Sequence, residues 1–129
     1  LKEQDDIQLY DWVDEMAPMM KTSDFVVSKA GGLIVSETLA CGIPMILADA
    51  LPGQEIGNMK YVVNSQAGAW APGPNEVLVT AISWLKDDAA LLKEFQSNAK
   101  ALGKPKAAYH IAKSVWGLIE KNVDGMKQA

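Results

Sequence analysis

Between Ser23 and Asn58 the chain runs SDFVVSKAGGLIVSETLACGIPMILADALPGQEIGN, and no other stretch constrains the fold as tightly. A short β-branched run, Asp24 to Ser28, leads into Ala30-Gly31-Gly32, a turn with almost no side-chain bulk. Leu33 to Cys41 carries helical spacing closed by Gly42 and Pro44, and Pro44 to Leu47 is a further apolar strand. Strand, glycine turn, helix and strand in that order describe an open sheet with helices on its faces. A glycine turn entering a helix also leaves amides unpaired, and the helix dipole favours an anion beside them.

The remainder of the chain extends this pattern. Ile7 to Tyr10 is a weak strand candidate, and Asp11-Trp12-Val13 leads into a helix with Met16, Met19 and Met20 as its apolar, core-packing positions. Phe25 to Val27, apolar on both faces, reads as a central parallel strand, and Pro44 to Leu47 is similar. A helix begins near Gln54 and runs through Asn58 to Gln66, and Ala67 to Ala71 is a fourth short strand. After Pro72-Gly73-Pro74 only helices follow. The first has Val77, Leu78, Ala81, Ile82 and Leu85 on one face, and the second is capped by Asp87-Asp88 with Leu91, Leu92, Phe95 and Ala99 inward. The last runs from Lys106 to about Val123 with Ile111, Val115, Leu118 and Ile119 as its stripe, and Trp84 and Trp116 are expected to pack on these helices. The fold class is therefore α/β, an open parallel Rossmann-like sheet with flanking helices and a helical C-terminal tail. Residues 1–72 form the α/β core and 73–129 the tail of a single unit.

Composition excludes several function classes. A net charge of −4 argues against broad nucleic-acid binding or tight attachment to anionic lipid, and Cys41 alone makes neither a disulfide framework nor a thiolate metal cluster. No metal-ligand spacing is present, so no metal and no cofactor are expected. Asp5-Asp6 reads as a solvated acidic pair. His110, the single histidine, has no partner spacing for a catalytic triad. Residue 1 is a leucine in mid-pattern and four strands are few for a doubly wound sheet, so the chain is expected to be a fragment of a longer protein.

Three features carry the chemistry. Gly31-Gly32, after a strand and before a helix, lies where open α/β sheets bind ligands, and the amides of Gly32, Leu33 and Ile34 suit a diphosphate. The same pair also fits a tight turn that needs positive φ or close packing. Glu37 follows Gly32 by five residues on a helix with Val35, Leu39 and Ala40, where a buried carboxylate requires a partner. Vicinal ribose hydroxyls or a salt bridge within the chain both serve. Gln54, Glu55 and Asn58 put three hydrogen-bonding side chains in five residues at the mouth of a strand, which suits a sugar or, more simply, a capped helix start.

With these residues in hand, DFVVSKAGGLIVSETLACGIPMIL followed by PGQEIGN and NSQAGAW resembles the carboxy-terminal domain of the GT-B glycosyltransferases of family 28, over residues 8–72. That family includes the monogalactosyldiacylglycerol synthases, the processive diacylglycerol glucosyltransferases and the peptidoglycan enzyme that adds N-acetylglucosamine to lipid I. The resemblance implies inverting transfer of a hexose, galactose or glucose, from a UDP-sugar to a lipid hydroxyl. It places Gly31, Gly32, Leu33 and Ile34 at the diphosphate, Glu37 at the ribose, and Gln54 and Glu55 at the donor sugar with Asn58 in support. Val13, with Met16 nearby, borders the uracil. Ile34 stands where members commonly carry threonine, which leaves only its backbone amide for phosphate. Ser28-Lys29-Ala30-Gly31-Gly32 is closer to the glycolipid synthases than to the lipid I enzyme. The lipid acceptor, the catalytic base and any peripheral membrane contact are implied to belong to an amino-terminal domain outside this chain, which places the whole enzyme in the cytoplasm or on a bacterial inner membrane or plastid envelope. Three rivals stay open: a donor-binding subunit of a split glycosyltransferase, a lipid I N-acetylglucosaminyltransferase-like enzyme, and a non-catalytic sheet domain that binds no UDP.

Overall fold

The computed structural model describes residues 7–127; Asp5-Asp6 lies outside them. The elements follow in the order α1 (Met16–Lys21), β1 (Val26–Lys29), α2 (Gly32–Ala40), β2 (Met45–Asp49), α3 (Ile56–Asn64), β3 (Gly68–Trp70), α4 (Pro74–Ile82), α5 (Ala89–Leu102) and α6 (Ala107–Lys127). A π-helical turn, Ser83–Asp87, joins α4 to α5. The strands form one parallel three-stranded sheet in the order β1-β2-β3. This is the α/β open sheet read from the sequence, with two differences among the described residues. Ile7 to Tyr10 is exposed coil rather than a strand, and of the two strands read as apolar on both faces, β2 pairs on both edges while β1, among the described residues, pairs with β2 alone.

Burial follows the pairing. Met45, Ile46 and Leu47 are fully buried, because β2 has neighbours on both edges and helices on both faces. Met45 and Leu47 join Val35 and Leu39 of α2 and Val62 of α3 in one cluster; Ile46 joins Ala71, Trp84 and Leu92 on the opposite face. β1, paired on one edge among the described residues, alternates half-buried and exposed residues along its two faces. Its ladder to β2 slips at its last residue: Ser28 pairs Leu47 but Lys29 pairs Asp49, skipping Ala48.

Local signals in the sequence set the helix ends. Gly42 follows α2 at a φ of 75°, a left-handed conformation that glycine adopts at low cost, and its amide donates to the Leu39 carbonyl. Pro74 starts α4, where a missing N–H costs nothing. The Asp88 carboxylate accepts the Leu91 amide at 2.9 Å and caps α5.

Burial departs from the sequence reading along α1 and α6. Only Met20 of the three α1 methionines is buried; Met19 is half-buried and Met16 exposed. Trp84 packs as expected, but Trp116 and the stripe Ile111, Val115, Leu118 and Ile119 are all exposed. Amphipathic spacing identifies α6 as a helix without saying what covers it. No helix among the described residues is long and apolar enough to cross a membrane.

Candidate functional site

The carboxyl ends of β1 and β2 each feed a loop, and the two loops are tied together. The Ala30 amide donates to the Asp49 carbonyl at 2.8 Å, and Asn58 Nδ2, from α3, donates to the Ala30 carbonyl at 3.0 Å. Lys29 Nζ lies 2.9 Å from Glu55 Oε1, while Glu55 Oε2 accepts the Leu51 amide at 2.9 Å. Three side chains and four backbone groups thereby fix the Leu51–Glu55 loop against the β1–α2 turn.

Gly31 and Gly32 sit at the centre of this arrangement. Gly31 is the N-terminal cap of α2 with φ −65° and ψ 143°, and no side chain caps the helix. The first intrahelical bond runs from the Val35 amide to the Gly31 carbonyl, so the earlier amides of Gly32, Leu33 and Ile34 have no helical acceptor. Neither glycine has positive φ, which removes the conformational explanation for either. Close packing does not require them either. A Cβ on Gly31 would come no nearer than 3.5 Å to Glu55 Oε1, and one on Gly32 would meet only Asn58 Nδ2 at 3.7 Å. Missing side chains leave the helix start bare on its outer surface, a form suited to the close approach of a ligand. Leu33 is 81% exposed, whereas Ile34 turns inward against the core, so it offers the site its backbone amide and not its side chain.

Glu37 corrects the expectation drawn from its neighbours. Only one face of α2 is buried, the one carrying Val35, Thr38 and Leu39; Glu37 is exposed and makes no ion pair among the described residues. It lines a cleft of about 540 Å³ between α1 and α2, together with Met16, Met20, Lys21 and Cys41. Val13 is half-buried just ahead of α1 and does not line that cleft. The candidate residues therefore fall into two groups along one helix: Gly31 to Ile34 with Glu55 and Asn58 at its start, and Glu37 with Met16 roughly 7.5 Å further along its axis.

In the Leu51–Glu55 loop the two adjacent polar residues diverge. Gln54 is exposed and makes no hydrogen bond among the described residues, while Glu55 is buried. Glu55 stands at the N-terminal cap of α3 without capping it through its side chain, so the plain helix-cap explanation does not account for it. The Leu51 amide above all, and then the Lys29 ammonium, hold its carboxyl below the usual value of 4.5. A carboxylate depressed in the fold contributes stability above its unfolded value and loses it as pH falls. Unfolding free energy is therefore expected to decline as pH drops through 4.5 and below, until the folded-state value is passed. Denaturant titrations of the parent and of Glu55→Gln at pH 7, 5 and 3.5 check this: the difference between them shrinks towards acid.

Lys29 is the residue that sequence spacing alone did not place in the site. It is a cation directly before a glycine turn, but its partner lies 26 residues on, a pairing only the fold reveals.

The sequence matches the glycosyltransferase family 28 C-terminal domain over residues 1–113. Among similar proteins is monogalactosyldiacylglycerol synthase 3, chloroplastic, of Arabidopsis thaliana, 36% identical over 107 residues, 83% of this chain and 23% of that one. A probable monogalactosyldiacylglycerol synthase 2 of Oryza sativa subsp. indica is 35% identical over 101 residues, 78% of this chain and 22% of that one. The monogalactosyldiacylglycerol synthase of Spinacia oleracea is 28% identical over 117 residues, 91% and 22% of the two chains. The chain thus spans under a quarter of the length of the curated relatives it matches. With an open parallel sheet, a bare helix start at its carboxyl edge and a match running through both, this chain belongs to glycosyltransferase family 28, as its C-terminal domain.

Proposed function

We propose that the chain forms the UDP-sugar donor site of an inverting hexosyltransferase whose acceptor is a diacylglycerol-type lipid. The observation that carries this is the closure of two strand-end loops, by Lys29 with Glu55 and Asn58 with Ala30, around an uncapped helix start. The amides of Gly32, Leu33 and Ile34, at the helix that Gly31 opens, take the diphosphate. Glu37 accepts from the ribose hydroxyls, Met16 and Val13 border the uracil, and Gln54 and Glu55 meet the hexose. Names of the relatives support a galactolipid product, and their greater length supports placing acceptor site and catalytic base in other parts of the enzyme.

In the reaction the bond from the hexose anomeric carbon to the β-phosphate oxygen breaks and a bond to the acceptor hydroxyl oxygen forms. UDP leaves with the electron pair, and the hydroxyl proton passes to a base. None of the residues assigned here is that base. Their task is to answer charge growing on the departing diphosphate, which preoriented amides at a helix start do without rearrangement. The assignment draws on no metal ion.

Calorimetric titration of UDP into the whole protein tests the site. Glu37→Ala removes two charge-assisted hydrogen bonds from an exposed position and is expected to weaken UDP binding at least tenfold, with stability unchanged. Equal affinity in parent and variant removes Glu37 from the ribose role, and no binding of UDP by the parent overturns the site as a whole.

A further inference from the structure

We infer that the Lys29–Glu55 ion pair is exchanged when donor binds: Lys29 passes from the carboxylate to the diphosphate, and the Glu55 oxygen it leaves accepts a hydroxyl of the hexose. This rests on the donor-site assignment above and adds to it a coupling between phosphate and sugar subsites.

Geometry puts both groups at the turn. Lys29 Nζ and Glu55 Oε1 are 2.9 Å apart, and the position a Cβ would take on Gly31 lies 3.8 Å from Lys29 Cε and 3.5 Å from Glu55 Oε1. The pair therefore flanks the glycine that opens the bare helix start. The slip in the β1–β2 ladder falls between Ser28 and Lys29, an irregularity of the kind that re-aims a side chain beside a site.

The two partners are unequally committed. The Lys29 side chain is 54% exposed and that of Glu55 9%, so the ammonium sits on the solvent side and the carboxylate is fixed beneath it. A half-exposed lysine–carboxylate pair contributes little on its own, whereas a diphosphate offers the same ammonium at least twice the charge. Glu55 keeps its bond from the Leu51 amide after Lys29 leaves. Its freed oxygen is buried and charged, and such an atom requires a new donor, which a sugar hydroxyl supplies. From Thr22 to Met59 Lys29 is the one cation, against Asp24, Glu37, Asp49 and Glu55, with Lys21 and Lys60 immediately outside that stretch. Sugar recognition by Glu55 is thus complete only once phosphate has drawn Lys29 away.

Uridine, UDP, UDP-galactose and UDP-glucose are titrated into the whole protein by ligand-observed NMR and calorimetry, using the parent, Lys29→Met, Lys29→Arg and Glu55→Gln. Lys29→Met is expected to weaken UDP about tenfold and leave uridine within about twofold, with Lys29→Arg recovering most of the loss. Glu55→Gln is expected to bind UDP as tightly as the parent or tighter, while losing the added affinity of the preferred UDP-hexose over UDP. Lys29→Met that weakens uridine and UDP alike, or neither, overturns the exchange, as does Glu55→Gln that retains the hexose increment. Thermal melts identify any variant that is unfolded, and Lys29→Arg, which preserves the charge, then decides. A parent that binds no UDP is a different result, because it removes the donor site itself.

Discussion

Replacing Gly32 by aspartate is expected to give a protein at least as stable as the parent that binds UDP roughly 100-fold more weakly. The two effects have opposite signs because they arise on different sides of the same residue. Gly32 is the first residue of α2, its backbone is not in a conformation reserved for glycine, and a Cβ there meets nothing closer than Asn58 Nδ2 at 3.7 Å. Glycine loses more backbone freedom on folding than aspartate does, and an acid in the first turn gains about 0.3–1 kcal/mol from the dipole. The same carboxylate then stands where the diphosphate is proposed to lie. At about 5 Å and an effective dielectric constant near 20, one unit of like charge repels by roughly 3 kcal/mol, or more than 100-fold in affinity. Thermal denaturation and UDP calorimetry on one preparation read both signs. A variant that is more stable and still binds UDP normally would move the phosphate away from the start of α2.

What the sequence disclosed about this site follows the range of the interactions involved. The β1–α2–β2 unit was legible because its signals are local: a β-branched run, two glycines, helical spacing, and a Gly42 that ends α2 within four residues of the next strand. Asp88 as a cap was legible for the same reason. Interactions set by neighbours distant in sequence were not. Glu37 was read as buried because apolar residues surround it in the chain, yet Val35, Thr38 and Leu39 turn to one face and leave it on the other. β1 and β2 were both read as strands apolar on two faces, but which strand pairs on each edge is set by partners distant in the chain: among the described residues β2 pairs with β1 and β3, and β1 with β2 alone. Lys29 and Glu55 each carry an unremarkable local context, and their pairing exists only because β1 and the Leu51–Glu55 loop end at the same edge of the sheet. In α6 the apolar spacing was visible while its burial was not, since a stripe records what a helix can cover and not what lies against it.

Truncating Trp84 to alanine is expected to reverse the Gly32→Asp pattern, with stability lost and donor affinity kept. Trp84 is 2% exposed in the π-helical turn after α4, and it packs edge-on against Phe25 and Phe95 with ring centroids 5.5 and 5.3 Å away. With Ile46, Ala71 and Leu92 it fills the face of the sheet opposite α2 and α3. Removing an indole from such a site costs about 3–5 kcal/mol, because the surrounding rings cannot collapse into the space. That is a large part of the roughly 5–15 kcal/mol that holds a domain together, so Tm should fall by more than about 10 °C. The candidate donor residues belong to the β1–α2 turn, α2 and the loop before α3, and none touches this cluster. UDP affinity measured well below the transition should therefore stay within a few-fold of the parent. Saturating UDP should also restore part of the lost stability, about 2.7 kcal/mol at 100 times Kd, because ligand binds the folded form alone. If affinity in Trp84→Ala instead falls along with stability at low temperature, the two faces of the sheet are coupled, and the donor loops depend on packing beneath β2 as well as on the Lys29–Glu55 and Asn58–Ala30 contacts.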